Sequence, residues 1–369
     1  MTEPFPLIEV SGTPHIRGMT YGMQAATRIR LGIAHYSRQL DSLGSTGVRD
    51  LVHRYLPVIE TFDPNYLDEM RGIAKGADVA FEDIVLLNAR TEILRLVERA
   101  TSQEEPDGCT GVVAMPEATT DGTLIHAQNW DWKAECAETA VVLRIRNSDG
   151  PDILTFTEAG GLARAGLNSA GIAITANYLQ SDRDYRQTGV PLALIRRKVL
   201  EQQHVALAMH AVYTTPKSAS NNMIVSQAGG VAIDFECAPD ETFQVHPDRG
   251  LLVHANHWVS PVALGKLRDT GIAGTPDTLY RDLRVRGLLA TSTGHIGIAE
   301  VKAALFDDYA TPWSVCRPPR LSLEGNMVAT VAMLVMQPGK GTMELAPLPA
   351  LNKTFTRYTL ELEAAAAAA

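Results

Sequence analysis

The sequence predicts an α+β protein built as a four-layer αββα sandwich, with two antiparallel sheets face to face, helices outside them and a helical N-terminal segment. Three observations lead to this class. Over the first hundred residues apolar positions recur at spacings of three and four. From Cys109 onward, short strand-like runs follow one another with turn residues between them. Later helical stretches fall in blocks between groups of strands, which suits antiparallel sheets covered by helices better than alternating β-α units.

Helices are expected over residues 21–43, 51–62, 66–74 and 81–96, with Pro64-Asn65 opening the third, because proline is tolerated in a first turn. Glu82 and Asp83 suit the positive N-terminal end of the fourth. Residues 101–108 are polar, aperiodic and contain Pro106 and Gly108, the signature of an exposed linker. A strand follows at 109–115, then further strands to about residue 182, with turns at Asp121-Gly122, at 147–150 and at 168–171. Pro191 opens a helix over 192–203, and a second ends near Tyr213. Strands return at 222–226, 231–237 and 251–255, helices at 278–289 and 298–306, and strands at 328–336 and 343–348.

The 369 residues carry 33 basic and 42 acidic side chains, a net charge of −9 that argues against a nucleic-acid partner. Arg281, Arg284 and Arg286 form a small basic patch, read as a solvated helix face. The first ten residues lack a basic n-region and apolar stretch, and no apolar run reaches about 18 residues, so neither a signal peptide nor a membrane span is expected. The expected compartment is the cytoplasm, with thiols kept reduced. No C-x-x-C pair occurs, and His254-x-x-His257, placed on a strand, points its rings to opposite faces, so no metal is expected. Leu362-Glu363 and the six alanines after it (362–369) read as the remnant of an affinity tag.

The boundary at Gly108-Cys109 carries the chemistry. A polar loop delivers a thiol, behind a glycine, to the first residue of a buried strand. That arrangement suits attack of the thiol on the preceding carbonyl, because glycine has no Cβ to crowd the peptide. Cleavage there would give Cys109 a free α-amine, whose unperturbed pKa of roughly 7.7–8.0 suits a general base. Asp131 ends the next strand. Two registers are open, one facing Cys109 with Asn129 and one, through a tighter Asp121-Gly122 turn, with Ala134. Either brings the Asp131 carboxylate within a few residues of Cys109, where it can hold the amine. Asn256, at a strand end, can donate to an oxyanion, and Arg317 can anchor carboxylates. Trp130 and Trp132 share a strand face and fill core or pocket wall. A Cys-His pairing of Cys109 with His126 or His257 is the alternative without chain cleavage.

Asp107-Gly108-Cys109-Thr110, Gln128-Asn129-Trp130-Asp131, the run Gly166 to Ala173, Asn256-His257 and Cys316-Arg317 occur in that order. Together they resemble the acyl-coenzyme A:6-aminopenicillanic-acid acyltransferase family of N-terminal nucleophile (Ntn) hydrolases, over about residues 107–340. The resemblance implies an Ntn-hydrolase fold and self-cleavage at Gly108-Cys109, giving a helical fragment 1–108 and a catalytic fragment 109–361 of one domain. It also implies Cys109 as nucleophile, Asp131 supporting the amine, Asn256 in the oxyanion hole and Arg317 in structure or substrate anchoring. Asn177 is expected as a second oxyanion or substrate contact, and Trp130 as a substrate contact. Gly111 departs from the pattern, since relatives often carry a larger residue there.

The expected function is that of a cysteine amidohydrolase acting on a small N-acyl amide through an acyl-thioester on Cys109, without a cofactor. Hydrolysis is favoured over acyl transfer to an amine because no phosphate-cradling glycine-rich loop precedes a helix. A non-catalytic binding protein on the same fold is the rival. Expected partners are the small amide substrate and the chain's own N-terminal fragment, with homo-oligomer formation compatible and no membrane or nucleic acid.

Overall fold

A computed structural model describes residues 3–101, 108–322 and 325–363. The chain opens with β1 (Leu7–Ser11), then α1 (Pro14–Gln39), α2 (Gly44–Phe62), α3 (Pro64–Ala77) and α4 (Phe81–Thr101). Next come β2 (Gly108–Ala114), β3 (Ile125–Lys133), the short α5 (Cys136–Thr139), β4 (Ala140–Arg146), β5 (Ile153–Glu158), β6 (Ala165–Asn168) and β7 (Ile172–Tyr178). The helices α6 (Leu192–Leu200) and α7 (Val205–Thr214) precede β8 (Asn221–Gln227), β9 (Val231–Cys237), β10 (Thr242–Val245) and β11 (Leu251–His254). Then follow α8 (Pro261–Leu264), α9 (Thr278–Ala290) and α10 (Ile298–Leu305). The chain closes with β12 (Arg320–Leu321), β13 (Met327–Gln337), β14 (Thr342–Pro347) and β15 (Thr356–Thr359).

The strands form two sheets, β1-β4-β5-β6-β7-β8-β9-β10 and β11-β2-β3-β13-β14-β15, with β12 paired to β13. Helices α1, α3, α4, α6 and α7 share a core with the first sheet. Helices α9 and α10 cover the outer face of the second, where Val285, Leu289, Val301 and Leu305 meet Val112, Ala114, Ile125 and Val253. Between the sheets, Val113 and Leu252 pack on Ile224. This is the four-layer αββα sandwich.

The helix and strand boundaries follow local chemistry. Pro64 occupies the first turn of α3, and the Asp63 carboxylate accepts the Asn65 N–H at 3.0 Å, a cap that satisfies one orphan donor. β2 and β3 are buried on both faces, as a strand sandwiched between layers must be. β1 was not expected within the helical segment. Its alternation, with Ile8 and Val10 buried and Leu7, Glu9 and Ser11 exposed, is an edge-strand pattern, and it pairs parallel to β4. β10 and β15 are each four residues long and carry too few apolar positions to stand out.

Residues 102–107, where the linker was expected, and 364–369 lie outside the described residues. Glu363, assigned to the tag remnant, is hydrogen bonded to Ser169: its N–H donates to the Ser169 carbonyl at 3.1 Å and its carboxylate accepts the Ser169 hydroxyl at 2.9 Å. Among the described residues no helix is long and apolar enough to cross a membrane.

Candidate active site

Cys109 is the second residue of β2, a central strand between β11 and β3. Its register settles the pairing: Cys109 stands opposite Trp130, and Gly108 opposite Asp131. Neither expected register occurs; the observed one differs by one residue from the wider alternative. The connection from Ala114 to Ile125 contains a 3-10 turn at Pro116–Ala118 as well as the Asp121-Gly122 turn, and so is neither open nor tight.

A shift of one residue exchanges the faces of a strand. Cys109, Gly111 and Val113 therefore look between the sheets, while Gly108, Thr110 and Val112 look toward α9 and α10. Gly111, where the resemblance implied a larger residue, has no room for one. A Cβ there would lie 2.8 Å from Ile224 Cδ1, so the facing sheet fills the space that a larger residue needs.

On the outer face, a chain of buried ionic contacts surrounds the Gly108-Cys109 peptide. Asp131 Oδ2 lies 3.2 Å from Arg317 Nε, an ion pair without an aligned hydrogen bond, and Asp131 Oδ1 accepts the Thr330 hydroxyl at 2.6 Å. Thr330 Oγ1 in turn accepts the Arg317 N–H at 2.8 Å. Arg317 donates to Asp277, and the same Asp277 oxygen accepts Arg281 Nε at 2.8 Å. Arg281 Nη1 donates to the Cys109 carbonyl at 2.6 Å and to Thr110 Oγ1 at 3.0 Å. The chain closes on Asn256, whose Oδ1 accepts both Arg281 Nη2 at 2.9 Å and the Cys109 N–H at 2.7 Å. A Cβ on Gly108 would sit 2.6 Å from Asp131 Oδ2 and 2.8 Å from Arg317 Cζ. Glycine is required there because the ion pair lies directly on its Cα.

Several expected roles change with this geometry. Asn256 meets Cys109 through its oxygen; its Nδ2 donates to the Tyr178 carbonyl at 2.9 Å. The donors around it fix that orientation, since both Cys109 N–H and Arg281 can only donate. Asp131 touches the Gly108 side of the peptide, not the thiol. Asn177, expected as a substrate or oxyanion contact, has its amide occupied inside the fold: Nδ2 donates to the carbonyls of His254 and Ala255, and Oδ1 accepts from Gln128. It ties the two sheets together.

The Cys-His alternative loses its geometry. His126 stands opposite Val113, and its ring nitrogens meet Ser226 Oγ and Thr175 Oγ1, each at 2.8 Å. Burial pushes its pKa down to about 3. The His257 ring meets Thr278 Oγ1. The rings of His254 and His257 stack with centroids 6.3 Å apart rather than pointing to opposite faces, because β11 ends at His254 and strand alternation stops there.

On the inner face, Cys109 Sγ borders a cavity of about 20 Å³ walled by Trp130, Tyr178, Arg90, Arg164 and Arg196. Trp130 is buried, edge-on to Phe156 and stacked under the Arg164 guanidinium at 4.1 Å, so it forms pocket wall. Arg164 Nη2 lies 3.8 Å from Cys109 Sγ, placed to meet negative charge on sulfur. Among the other cysteines, burial pushes Cys316 up to about 12 and raises Cys136 and Cys237. Those thiols are structural.

The sequence reading missed Asp277 and Thr330 and misread Arg281 as solvated; the Arg281 side chain is wholly buried, and burial beside Arg317 lowers its pKa. A signal existed. Positions 277, 281, 285 and 289 fall on one helical stripe, and that stripe contains Val285 and Leu289. Arg284 pairs with Asp307, and Arg286 reaches the Val253 carbonyl at 3.2 Å, so no anion patch results.

The two-sheet sandwich thus carries a buried thiol at a strand junction laced with ion pairs, an arrangement suited to an enzyme of acyl chemistry. Residues 118–346 match the family described as acyl-coenzyme A:6-aminopenicillanic acid acyl-transferase, a span that holds Asp131, Asn256 and Arg317 and begins after Cys109. The acyl-coenzyme A:6-aminopenicillanic-acid-acyltransferase 40 kDa form of Emericella nidulans is 33% identical over 261 residues, 69% of this chain and 67% of that protein. The chain belongs to this acyltransferase family. An uncharacterized protein of Archaeoglobus fulgidus is 24% identical over 353 residues, 83% of this chain and 58% of that protein. Among solved structures, a variant of the conjugated bile acid hydrolase from Clostridium perfringens has a TM-score of 0.49 at 15% identity, covering 68% of this chain and 92% of that chain.

Proposed function

We propose that this chain is a self-processing cysteine amidohydrolase that cleaves a small N-acyl amide through an acyl-thioester on Cys109. Membership of the acyltransferase family makes it an enzyme of amide and acyl chemistry. The observation that carries the finer reading is the ring of contacts from Asp131 through Arg317, Asp277 and Arg281 to Asn256, which grips the Gly108-Cys109 peptide from one face while Sγ occupies the other.

In the first reaction Sγ attacks the Gly108 carbonyl carbon, the C–N bond to Cys109 breaks, and the nitrogen keeps the electron pair and takes the thiol proton. Water then cleaves the thioester, leaving a carboxylate on Gly108 and a free amine on Cys109. In the second reaction that amine accepts the thiol proton, and Sγ attacks the substrate amide carbon. The substrate's amine leaves with the proton, and water releases the acyl group. Asn256 Oδ1, already bonded to the Cys109 nitrogen, holds the amine with a lone pair toward the thiol. Asp131 and Arg317 are positioning residues for Gly108.

The fragment 1–108 remains bound in this scheme, which the pairing of β1 with β4 and the shared core of α1, α3 and α4 support. Buried thiols at Cys136, Cys237 and Cys316 suit a reducing, cytoplasmic setting. Transfer of the acyl group to an amine in place of water is the second reading, favoured by the 33% identical relative named as an acyltransferase.

Denaturing mass spectrometry of wild type and Cys109→Ala tests the first reaction. Two fragments split at 108/109 in wild type and one full chain in the variant are expected; a variant that still splits there sinks self-cleavage. An N-acyl amide library read for free amine, with and without an added amine acceptor, then separates hydrolysis from transfer.

A further inference from the structure

The cavity beside Cys109 contains a charge that the reaction outlined above does not use. Arg196 lies on α6, is 7% exposed, and lines the cavity with Cys109, Trp130 and Arg164. Among the described residues it makes no hydrogen bond and no ion pair, and its Nε is buried without a partner. Its neighbour on the helix shows the contrast. Arg197 is equally buried but is held by Glu69 and Glu201. Arg90, on the cavity wall, is tied to Glu158. Glu92 acts on Arg196 electrostatically but forms no ion pair with it, accepts the Leu192 N–H at 2.7 Å, and is itself pushed toward its neutral form by burial.

A buried guanidinium without a counter-ion is costly to the fold, because its desolvation is not offset by attraction. Burial first, then the nearby charge of Arg164, pushes Arg196 down to about 9, far from the usual range of a guanidinium. Such a group is retained where a ligand completes it. Its planar fork matches a carboxylate, and it lines the same small cavity as Cys109.

Building on the amidohydrolase reading, we propose that the substrate carries a carboxylate close to its scissile amide and that Arg196 binds it. Arg164, stacked on Trp130 and 3.8 Å from Sγ, adds positive potential along the same wall. The cavity of about 20 Å³ holds one small polar group as it stands, so a whole substrate enters only as the wall moves apart. The carboxylate belongs to the acyl half or to the amine half of the substrate, and matched compounds separate the two.

The test uses processed enzyme. One arm compares N-glutaryl-4-nitroanilide with N-valeryl-4-nitroanilide, placing the charge on the acyl half. The other compares N-valeryl-4-aminobenzoate with N-valeryl-aniline, placing it on the amine half. In one arm kcat/KM for the anion is expected to exceed that for the neutral compound by at least about tenfold, the scale of one charge-assisted hydrogen bond. The ratio should collapse toward unity in Arg196→Gln and be partly kept in Arg196→Lys, which also guards against loss of fold. Independently of turnover, Cys109 should alkylate with iodoacetate faster, relative to iodoacetamide, than free cysteine does, and Arg196→Gln should remove that preference. A ratio unchanged by Arg196→Gln, or no preference for the anion in either assay, overturns the proposal. If no amide is cleaved while the alkylation preference depends on Arg196, the anion site stands and the amidohydrolase reading fails.

Discussion

Asn256 Oδ1 accepts the backbone N–H of Cys109 at 2.7 Å. The asparagine therefore acts toward the nucleophile's nitrogen as an acceptor. Removing it leaves a buried N–H unmatched, a loss on the order of 1–3 kcal/mol. Asn256→Ala in processed enzyme is expected to lower kcat roughly 10- to 100-fold with little change in KM. Asn256→Asp keeps an acceptor oxygen and gains an ionic contact with Arg281, so it should retain more activity than the alanine variant. Steady-state kinetics decide, and an aspartate variant as poor as alanine would make Nδ2 the working atom.

Gly108→Ala puts a methyl group onto the Asp131–Arg317 ion pair. Neither partner can withdraw without leaving a buried charge, so the strand must shift. Self-cleavage should slow at least about tenfold, and stability should fall by about 1–3 kcal/mol, as for other overpacked sites. Intact-mass time courses and denaturant melts measure the two effects. Normal processing in this variant would show that the ion pair does not position the peptide.

Two buried histidines should give the stability profile opposite slopes. Burial holds the His126 pKa at about 3, below its ordinary 6.5. The unfolded chain then binds a proton that the folded chain refuses, so stability falls as pH drops from 6.5 toward 3. For His254 burial acts downward too, but Asp234 and Glu236 overcome it and raise the pKa to about 9. That contribution is fully present below 6.5 and is lost as pH rises through about 9. Denaturant titrations should show a flatter acid limb in His126→Gln and a flatter alkaline limb in His254→Gln. A His254→Gln curve parallel to wild type above pH 6.5 would mean that the carboxylates leave this imidazole uncharged.

Gly111→Ala should cost about 1 kcal/mol or more, since its methyl meets the tip of Ile224. Ile224→Val removes the atom in contact, and the double variant should recover part of the loss. A double-mutant cycle with no coupling would place the strain elsewhere in β2.

Much of this site was legible because its parts lie at strand ends that composition marks clearly. Gly108-Cys109, Asp131, Asn256 and Arg317 are all brought together, over chain separations that no local pattern encodes. What local pattern could not supply was atom-level direction. Whether Asn256 offers oxygen or nitrogen depends on Arg281 and the Tyr178 carbonyl, which come from other elements. The β2–β3 register turned on a single residue in the connecting loop, and with it the face of Asp131. Asn177 looked like a ligand-facing amide because its two carbonyl partners, at His254 and Ala255, lie on the other sheet. Arg196 had no legible role, since an arginine pair within an apolar helix gives no hint that only one is neutralised.

The parallel pairing of β1 with β4 has a consequence for how the two halves of the chain would behave once the peptide before Cys109 opens. The smaller piece would then be a strand donor, inserting Leu7–Ser11 into the open edge of the larger piece and clamping it with helices. Neither half is complete alone: one lacks a sheet to join, the other exposes a bare edge and an uncovered apolar face. Such a pair behaves as a complementation system, in which separately produced halves find each other by edge recognition and the larger half stays prone to aggregate until its donor arrives.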